Sequence, residues 1–154
     1  GGMMARYSAS GSQELSSSLI TALTIAAQST AHRNEVYDIT IGNVGAPADL
    51  VTLHTIQRIS NPNASNCTAV TPSLLDLADR ASQTAGGENH TAEPTYTSNQ
   101  ELLEIPLNHR ATFRWVAAPG GELVTIATNN YGIGAKAIHA SATTEWRVGF
   151  MWEE

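Results

Sequence analysis

Five histidines are the side chains of this chain best suited to chemistry, because imidazole with carboxylate is the usual non-thiol ligand set for transition metals. They are His32, His54, His90, His109 and His139. A metal site of the cupin type needs two histidines one residue apart on a strand, and no pair here has that spacing. His90 and Glu93 come closest, but on an extended backbone their side chains face opposite ways. The spacing therefore predicts no metal site. A cupin-like metal enzyme is the less favoured alternative, because it would need one.

Other residue types that carry catalysis also lack the necessary pattern. The sequence contains no Gly-x-Ser-x-Gly nucleophile elbow. The Gly132-Ile133-Gly134 run lacks the third glycine of a phosphate-binding loop. Glu101 and Glu104 face opposite ways on a predicted strand, so they do not form an acid–base pair. Cys67 is the single cysteine, which excludes an internal disulfide and a cysteine-based zinc site. We therefore expect that the protein is not an enzyme and that it has no catalytic residue and no cofactor.

Length and composition indicate one domain with a mostly neutral surface. The chain has 154 residues, of which only 14% are charged, compared with about a quarter in a typical soluble domain. The net charge is −6 and the arginines are scattered, so we expect no nucleic-acid partner. No apolar run approaches the roughly 20 residues that span a bilayer, so we expect no membrane partner. Gly1-Gly2 ahead of Met3 is expected to be an expression remnant at residues 1–3, and the protein is expected to be made in a bacterial cytoplasm.

Alternation of apolar and polar side chains predicts about eight to ten short β-strands and no long helix. The predicted strands cover residues 4–10, 19–27, 33–42, 51–59, 69–75, 101–108, 132–140 and 143–152. A helix over residues 13–27 is the competing interpretation, which Ser16-Ser17-Ser18 disfavour. Turn residues separate the strands, as in all-β folds. We therefore predict a single-domain antiparallel β-sandwich, jelly-roll-like, over residues 4–154, with an N-terminal arm at about residues 4–17.

The stretch 108–127 has the clearest pattern in the chain. Phe113 and Trp115 alternate with Arg114 and Val116, which predicts a strand with one aromatic face. Pro119-Gly120-Gly121 then supplies a turn, and a β-rich run follows. We predict a β-hairpin here, with the two aromatic residues in the core.

Several residues are candidates for contacts with another protein chain. The opening strand is expected either to lie at a sheet edge or to reach across to a neighbour, and Trp152 lies near the C-terminus, where deep burial within its own domain is uncommon. Two arginines lie on the polar face of the predicted hairpin. The candidate contacts are Arg6, Tyr7, Arg110, Arg114 and Trp152.

Residues 90–124, HTAEPTYTSNQELLEIPLNHRATFRWVAAPGGELV, resemble a group of short structural proteins encoded in the virion-gene modules of tailed bacteriophages. Further matching phrases are Tyr37-Asp38-Ile39, Pro47-Ala48-Asp49, Gln57-Arg58 and the segment 71–79. The resemblance covers residues 37–140 and includes no active-site motif. It implies a small β-sandwich on the virion, a decoration or cement protein that binds the major capsid protein, often as a homotrimer. A receptor-binding module of a phage tail or fibre is the alternative.

Overall fold

In the computed structural model, residues 4–28, 32–138 and 144–154 are described, and they form two antiparallel β-sheets packed face to face. The all-β sandwich is thus confirmed. The strands are β1 (Arg6–Glu14), β2 (Ile20–Ala27), β3 (Asn34–Asn43), β4 (Val51–Asn61), β5 (Thr68–Val70), β6 (Ser73–Leu74), β7 (Thr84–Glu88), β8 (Thr95–Asn108), β9 (Phe113–Val116), β10 (Leu123–Thr125), β11 (Gly132–Ile138) and β12 (Glu145–Glu153). One short 3₁₀ helix covers Ala64–Asn66. Ile20–Ala27 is indeed a strand, and the competing helix over residues 13–27 does not form.

The strand order is that of a jelly roll. Sheet A has the order β10-β3-β12-β1-β6, with β9 also paired to β3, and sheet B has the order β5-β7-β2-β11-β4-β8. β1 pairs with β12, β2 with β11, β3 with β9 and β10, and β4 with β8. Such pairing of successively inner strands, divided over two sheets, is the jelly-roll arrangement. The core lies between the sheets, and alternate residues of β12 and of most of β1 point into it.

The connection from β4 to β8 adds strands to both sheets. β5 and β7 extend sheet B beyond β2, whereas β6 lies beside β1 in sheet A. The predicted strand at 69–75 is therefore split, and Pro72, which has no N–H to donate, lies at the division. β7 was not predicted, because its glycines suggested flexibility. Gly86 and Gly87 instead permit close packing, since a Cβ on them would lie 2.6 Å from Val70 O and 2.6 Å from Cys67 Sγ, respectively.

The predicted hairpin over 108–127 is wrong in its pairing. β9 pairs with residues 38–41 of β3, and β10 pairs with residues 34–36 of the same strand. β12 occupies the other side of β3, so β9 and β10 are two halves of one interrupted edge strand. Pro119-Gly120-Gly121 does form a turn, with Gly121 N donating to Ala118 O at 2.7 Å. That turn loops out of the edge strand instead of joining two paired strands.

The predicted N-terminal arm is also wrong. β1 pairs with β12 along nine residue pairs, and Ala5, Tyr7 and Ala9 are buried. Tyr7 and Trp152 are directly opposite each other, and both side chains are fully buried within the chain. The last strand is central in its sheet because β1 and β3 flank it. Neither aromatic side chain is therefore available to a partner.

Candidate interaction surfaces

The outward side of sheet A is a broad, low surface made of small and polar side chains. It comprises Arg6, Ser8, Ser10 and Ser12 of β1, Arg147, Gly149 and Met151 of β12, Asp38, Thr40 and Gly42 of β3, and Arg114 and Val116 of β9. We call this surface the sheet A face. Its central row runs through Ser10, Gly149, Thr40 and Arg114, which are successive cross-strand partners.

Two shallow hollows lie on the sheet A face, with volumes of about 290 and 240 Å³, and Ser10, Thr40 and Gly149 line both. They exist because the middle of the face carries side chains of one to three heavy atoms or none. Longer side chains, Arg147 beside one hollow and Met151 beside the other, form the rims. The face therefore has the shallow relief that suits contact with another flat protein surface.

Two ion pairs lie on or beside the sheet A face. Arg114 donates to Asp38 through Nε at 3.1 Å and through Nη2 at 2.6 Å, and this carboxylate raises the pKa of the guanidinium. Arg147 Nη1 lies 3.5 Å from Glu145 Oε1. Both pairs are partly or wholly solvent-exposed, so they contribute little to folding stability. Two of the three arginines of this face thus have a carboxylate partner.

The structure separates the five predicted contact residues into three places. Arg6 and Arg114 lie on the sheet A face, where they are exposed. Arg110 is exposed in the loop between β8 and β9, and its Nε donates to Pro47 O at 3.1 Å. Tyr7 and Trp152 face the core, as described above, so their assignment as contacts is wrong. The error has a simple cause: alternation places Arg6 and Tyr7 on opposite sides of one strand.

Sheet B differs from sheet A because the chain covers part of its outward side. Tyr96 lies over Gly134, where a Cβ would approach the Tyr96 hydroxyl oxygen to 2.9 Å. Thr21 Oγ1 donates to Glu93 Oε1 at 2.6 Å and lies 2.7 Å from the Tyr96 hydroxyl oxygen. Burial raises the pKa of both Glu93 and Tyr96. Residues 93–96 thus cover part of this side of sheet B, whereas Val51, Leu53 and Ile138 remain 57%, 45% and 50% exposed farther along it. The sheet A face has no comparable cover within the described ranges.

A cavity of about 380 Å³ opens between the two sheets at one end of the sandwich. Its walls come from β4, β8, β10 and β11 and from the residue before β3. We call it the inter-sheet cavity, and it is lined by Arg33, Arg58, Ile59, Thr97, Gln100, Val124, Thr125, Ile126, Tyr131 and Gly132. These residues are dispersed through the chain and form no motif, so none of them was predicted to line a site.

Three histidines, His54, His90 and His109, are buried. His54 packs on Trp146 with ring centroids 4.8 Å apart, and burial, assisted by His109, lowers its pKa to about 4. His90 is buried elsewhere, 3.4 Å from the Thr24 hydroxyl. His139 lies outside the described residues. Among the residues that the structure describes, no three His, Cys, Asp or Glu side chains are placed to hold a metal ion.

Comparison of the chain with protein-family models, with curated proteins and with solved structures found no match. Within the described part of the chain, no helix is long and apolar enough to cross a membrane. Function must therefore be argued from the surfaces themselves.

Proposed function

We propose that this protein is a structural protein of a tailed-bacteriophage virion, and that it is a capsid decoration (cement) protein that binds the major capsid protein. The observation that carries the proposal is the sheet A face. It is a shallow surface of mostly small and polar side chains that the described residues leave uncovered, whereas residues 93–96 cover part of the other sheet. The resemblance of residues 90–124 to virion structural proteins supports the same role.

A cement protein stabilises a shell by adding interface area across neighbouring capsid subunits. A stable interface buries about 800 Å² on each partner, and polar interfaces with bridging water are common. The sheet A face spans four neighbouring strands and offers Ser and Thr hydroxyls to a partner. It is rigid because β1, β12 and β3 are fully paired in its middle.

Self-association into a homotrimer at local three-fold positions of the capsid belongs to the same proposal. Arg110 is the candidate contact that lies outside the sheet A face, in an exposed loop at one end of the sandwich. This arrangement leaves the sheet A face for the capsid and the loop end for a second copy of the chain.

The proposal is tested by placing a bulky side chain in the middle of the sheet A face. Gly149 is suitable because a Cβ built on it has its nearest neighbour, Ala9 O, at 3.9 Å, so a side chain there points into solvent without a clash. We expect Gly149→Arg to weaken binding to purified capsids lacking the protein by about tenfold or more. The matched control is Ser65→Arg on the exposed 3₁₀ helix, which should bind like the wild type.

Two readouts decide the outcome. Cosedimentation measures association, and survival of capsids after heating or transfer to low ionic strength measures stabilisation. Failure of the wild-type protein to associate with capsids would refute the decoration role. Association of Gly149→Arg at wild-type affinity would place the interface on another surface.

The second candidate is a receptor-binding module on a phage tail or fibre, and the inter-sheet cavity is the observation that favours it. Immunolabelling of virions separates the two: label over the head supports decoration, and label at the tail tip supports receptor binding.

A further inference from the structure

The inter-sheet cavity has a positive charge that the protein does not neutralise. Arg33 and Arg58 both line it, and no Asp or Glu does. In the described ranges neither arginine has a carboxylate oxygen within 4.0 Å. Since the whole chain carries a net charge of −6, this local excess of positive charge is not part of a generally basic surface.

The two arginines are held differently. Arg58 spans the gap between the sheets, and its Nη1 donates to Val124 O of β10 at 2.7 Å, which orients the guanidinium. Arg33 is exposed at the mouth of the cavity. A planar guanidinium presents paired N–H donors that match a carboxylate. Arg58, which a hydrogen bond orients, and Arg33, which is exposed, can therefore both donate hydrogen bonds to one small anion.

Polar groups inside the cavity indicate that the ligand also carries hydroxyls. Thr125 is 1% exposed, and its hydroxyl has no hydrogen-bond partner among the residues that the structure describes. Leaving a buried hydroxyl unbonded costs free energy, and a bound group that supplies a partner recovers it. Thr97 and Gln100 add further polar groups to the same cavity.

The remaining wall is apolar and includes an aromatic ring. Ile59 and Val124 lie in the cavity, and Ile126 and Tyr131 remain 47% and 40% exposed at its surface. Exposed apolar side chains beside polar groups in a concavity are typical of small-ligand sites. The apolar C–H face of a sugar ring packs well on such a surface, whereas a simple inorganic anion gains nothing from it.

From these observations we propose that the inter-sheet cavity binds an acidic sugar, a pyranose ring that carries a carboxylate. Arg33 and Arg58 take the carboxylate, Thr125 and Gln100 take hydroxyls, and Tyr131 packs on the ring face. The cavity volume of about 380 Å³ lies at the lower end of the range for ligand sites, about 300–1,000 Å³, which suits one ring. This site goes beyond the decoration role and is built from residues other than those of the sheet A face.

The test is a titration of the intact protein with glucuronate, followed by calorimetry or by NMR. Glucose is the matched neutral probe, and inorganic phosphate is the probe for simple anion binding. We expect binding of glucuronate at millimolar or lower concentration, with glucose and phosphate each at least about tenfold weaker. Arg33→Gln should weaken glucuronate binding by about tenfold or more. Arg147→Gln, which removes an arginine from the sheet A face, should leave it unchanged.

Arg33 is chosen because its exposed side chain makes no ion pair within the described ranges, so its replacement preserves the fold; thermal unfolding of the variant checks this. The proposal is overturned if glucuronate does not bind at 20 mM, a limit on the order of weak ligand affinities. It is equally overturned if glucose or phosphate binds as well as glucuronate, or if Arg33→Gln binds like the wild type. None of these results bears on capsid association, which the Gly149→Arg variant tests separately.

Discussion

Replacement of Glu154 by glutamine tests how the end of β12 is fixed to the connection between β4 and β8. The Glu154 side chain is 3% exposed. Its carboxylate accepts hydrogen bonds from Gln83 N at 2.7 Å, Ser82 Oγ at 2.8 Å, Thr84 Oγ1 at 2.9 Å and Trp152 Nε1 at 3.1 Å. Burial alone would raise the pKa of Glu154, but these hydrogen bonds outweigh burial and lower it from 4.5.

The loss of unfolding free energy depends on which of these hydrogen-bond donors can find another acceptor. The hydroxyls of Ser82 and Thr84 can rotate toward another acceptor, but the Gln83 amide N–H and the Trp152 indole N–H cannot. Gln83 N donates to Oε1 and Trp152 Nε1 donates to Oε2, so whichever oxygen an amide NH₂ replaces, one fixed donor loses its acceptor. That loss, with the weaker bonds of a neutral acceptor, amounts to about 3 kcal/mol of unfolding free energy.

Chemical denaturation at pH 7 measures this loss, and thermal unfolding should show a decrease of about 6–12 °C in Tm. The control is Glu153→Gln, at the adjacent position but facing outward, which should change stability by less than about 0.5 kcal/mol. Because the pKa of Glu154 is lower in the folded state, its contribution is complete above pH 4.5 and is lost as the pH falls through the folded-state pKa. The difference between wild type and Glu154→Gln should therefore shrink in acid. Equal stability of the two glutamine variants at pH 7 would refute the reasoning.

Two further stability predictions concern buried polar residues. The His54 pKa is lowered to about 4, so the unfolded chain takes up this proton first as the pH falls below 6.5, and the protein should lose roughly 3 kcal/mol between pH 7 and pH 4. His54→Phe should lack that part of the acid sensitivity in denaturation curves, and an unchanged pH profile would contradict the assignment. Tyr96→Phe removes the hydroxyl that bonds Thr21 and should cost about 1 kcal/mol. Tyr131→Phe is its control, because this exposed tyrosine has no such bond, and equal losses in the two variants would contradict the role of the Tyr96 hydroxyl.

The sandwich was predictable because alternation is a local property that burial enforces. Trp146, Val148, Phe150 and Trp152 alternate with polar residues or glycine over most of β12, and all four are buried as that pattern requires. Local turn chemistry was predictable for the same reason, as Gly120 illustrates with a φ of 84°. Sequence therefore predicted the fold class and the direction in which most of these side chains point.

Strand pairing was not predictable from local pattern. Two β-rich runs joined by Pro119-Gly120-Gly121 match a hairpin, but both run along β3, whose edge is far away in the sequence. The burial of Tyr7 and Trp152 has the same origin, since the jelly-roll topology brings the first and last strands together inside sheet A. A position near a chain end is therefore a poor guide to exposure in this topology.

The inter-sheet cavity was beyond sequence analysis for a related reason. Arg33 precedes β3, Arg58 lies on β4, and Thr125 lies on β10, so only the packing of the two sheets brings them together. Each residue alone has an ordinary role in or beside a strand. One residue of the sheet A face was predictable, because alternation placed Arg114 on the polar side of its strand, where it is exposed.

The interrupted edge strand also affects how the protein behaves when it is concentrated. An uninterrupted strand at the edge of a sheet offers a row of free backbone groups that can recruit a strand from another molecule and start aggregation. Here the edge of sheet A is divided into β9 and β10, of four and three residues. At the opposite side, Ser12 N donates to Glu88 Oε1 and Ser12 O accepts from Asn89 N, both at 3.1 Å. Neither border of sheet A is a long template for strand addition, so this sheet is protected against edge-to-edge association.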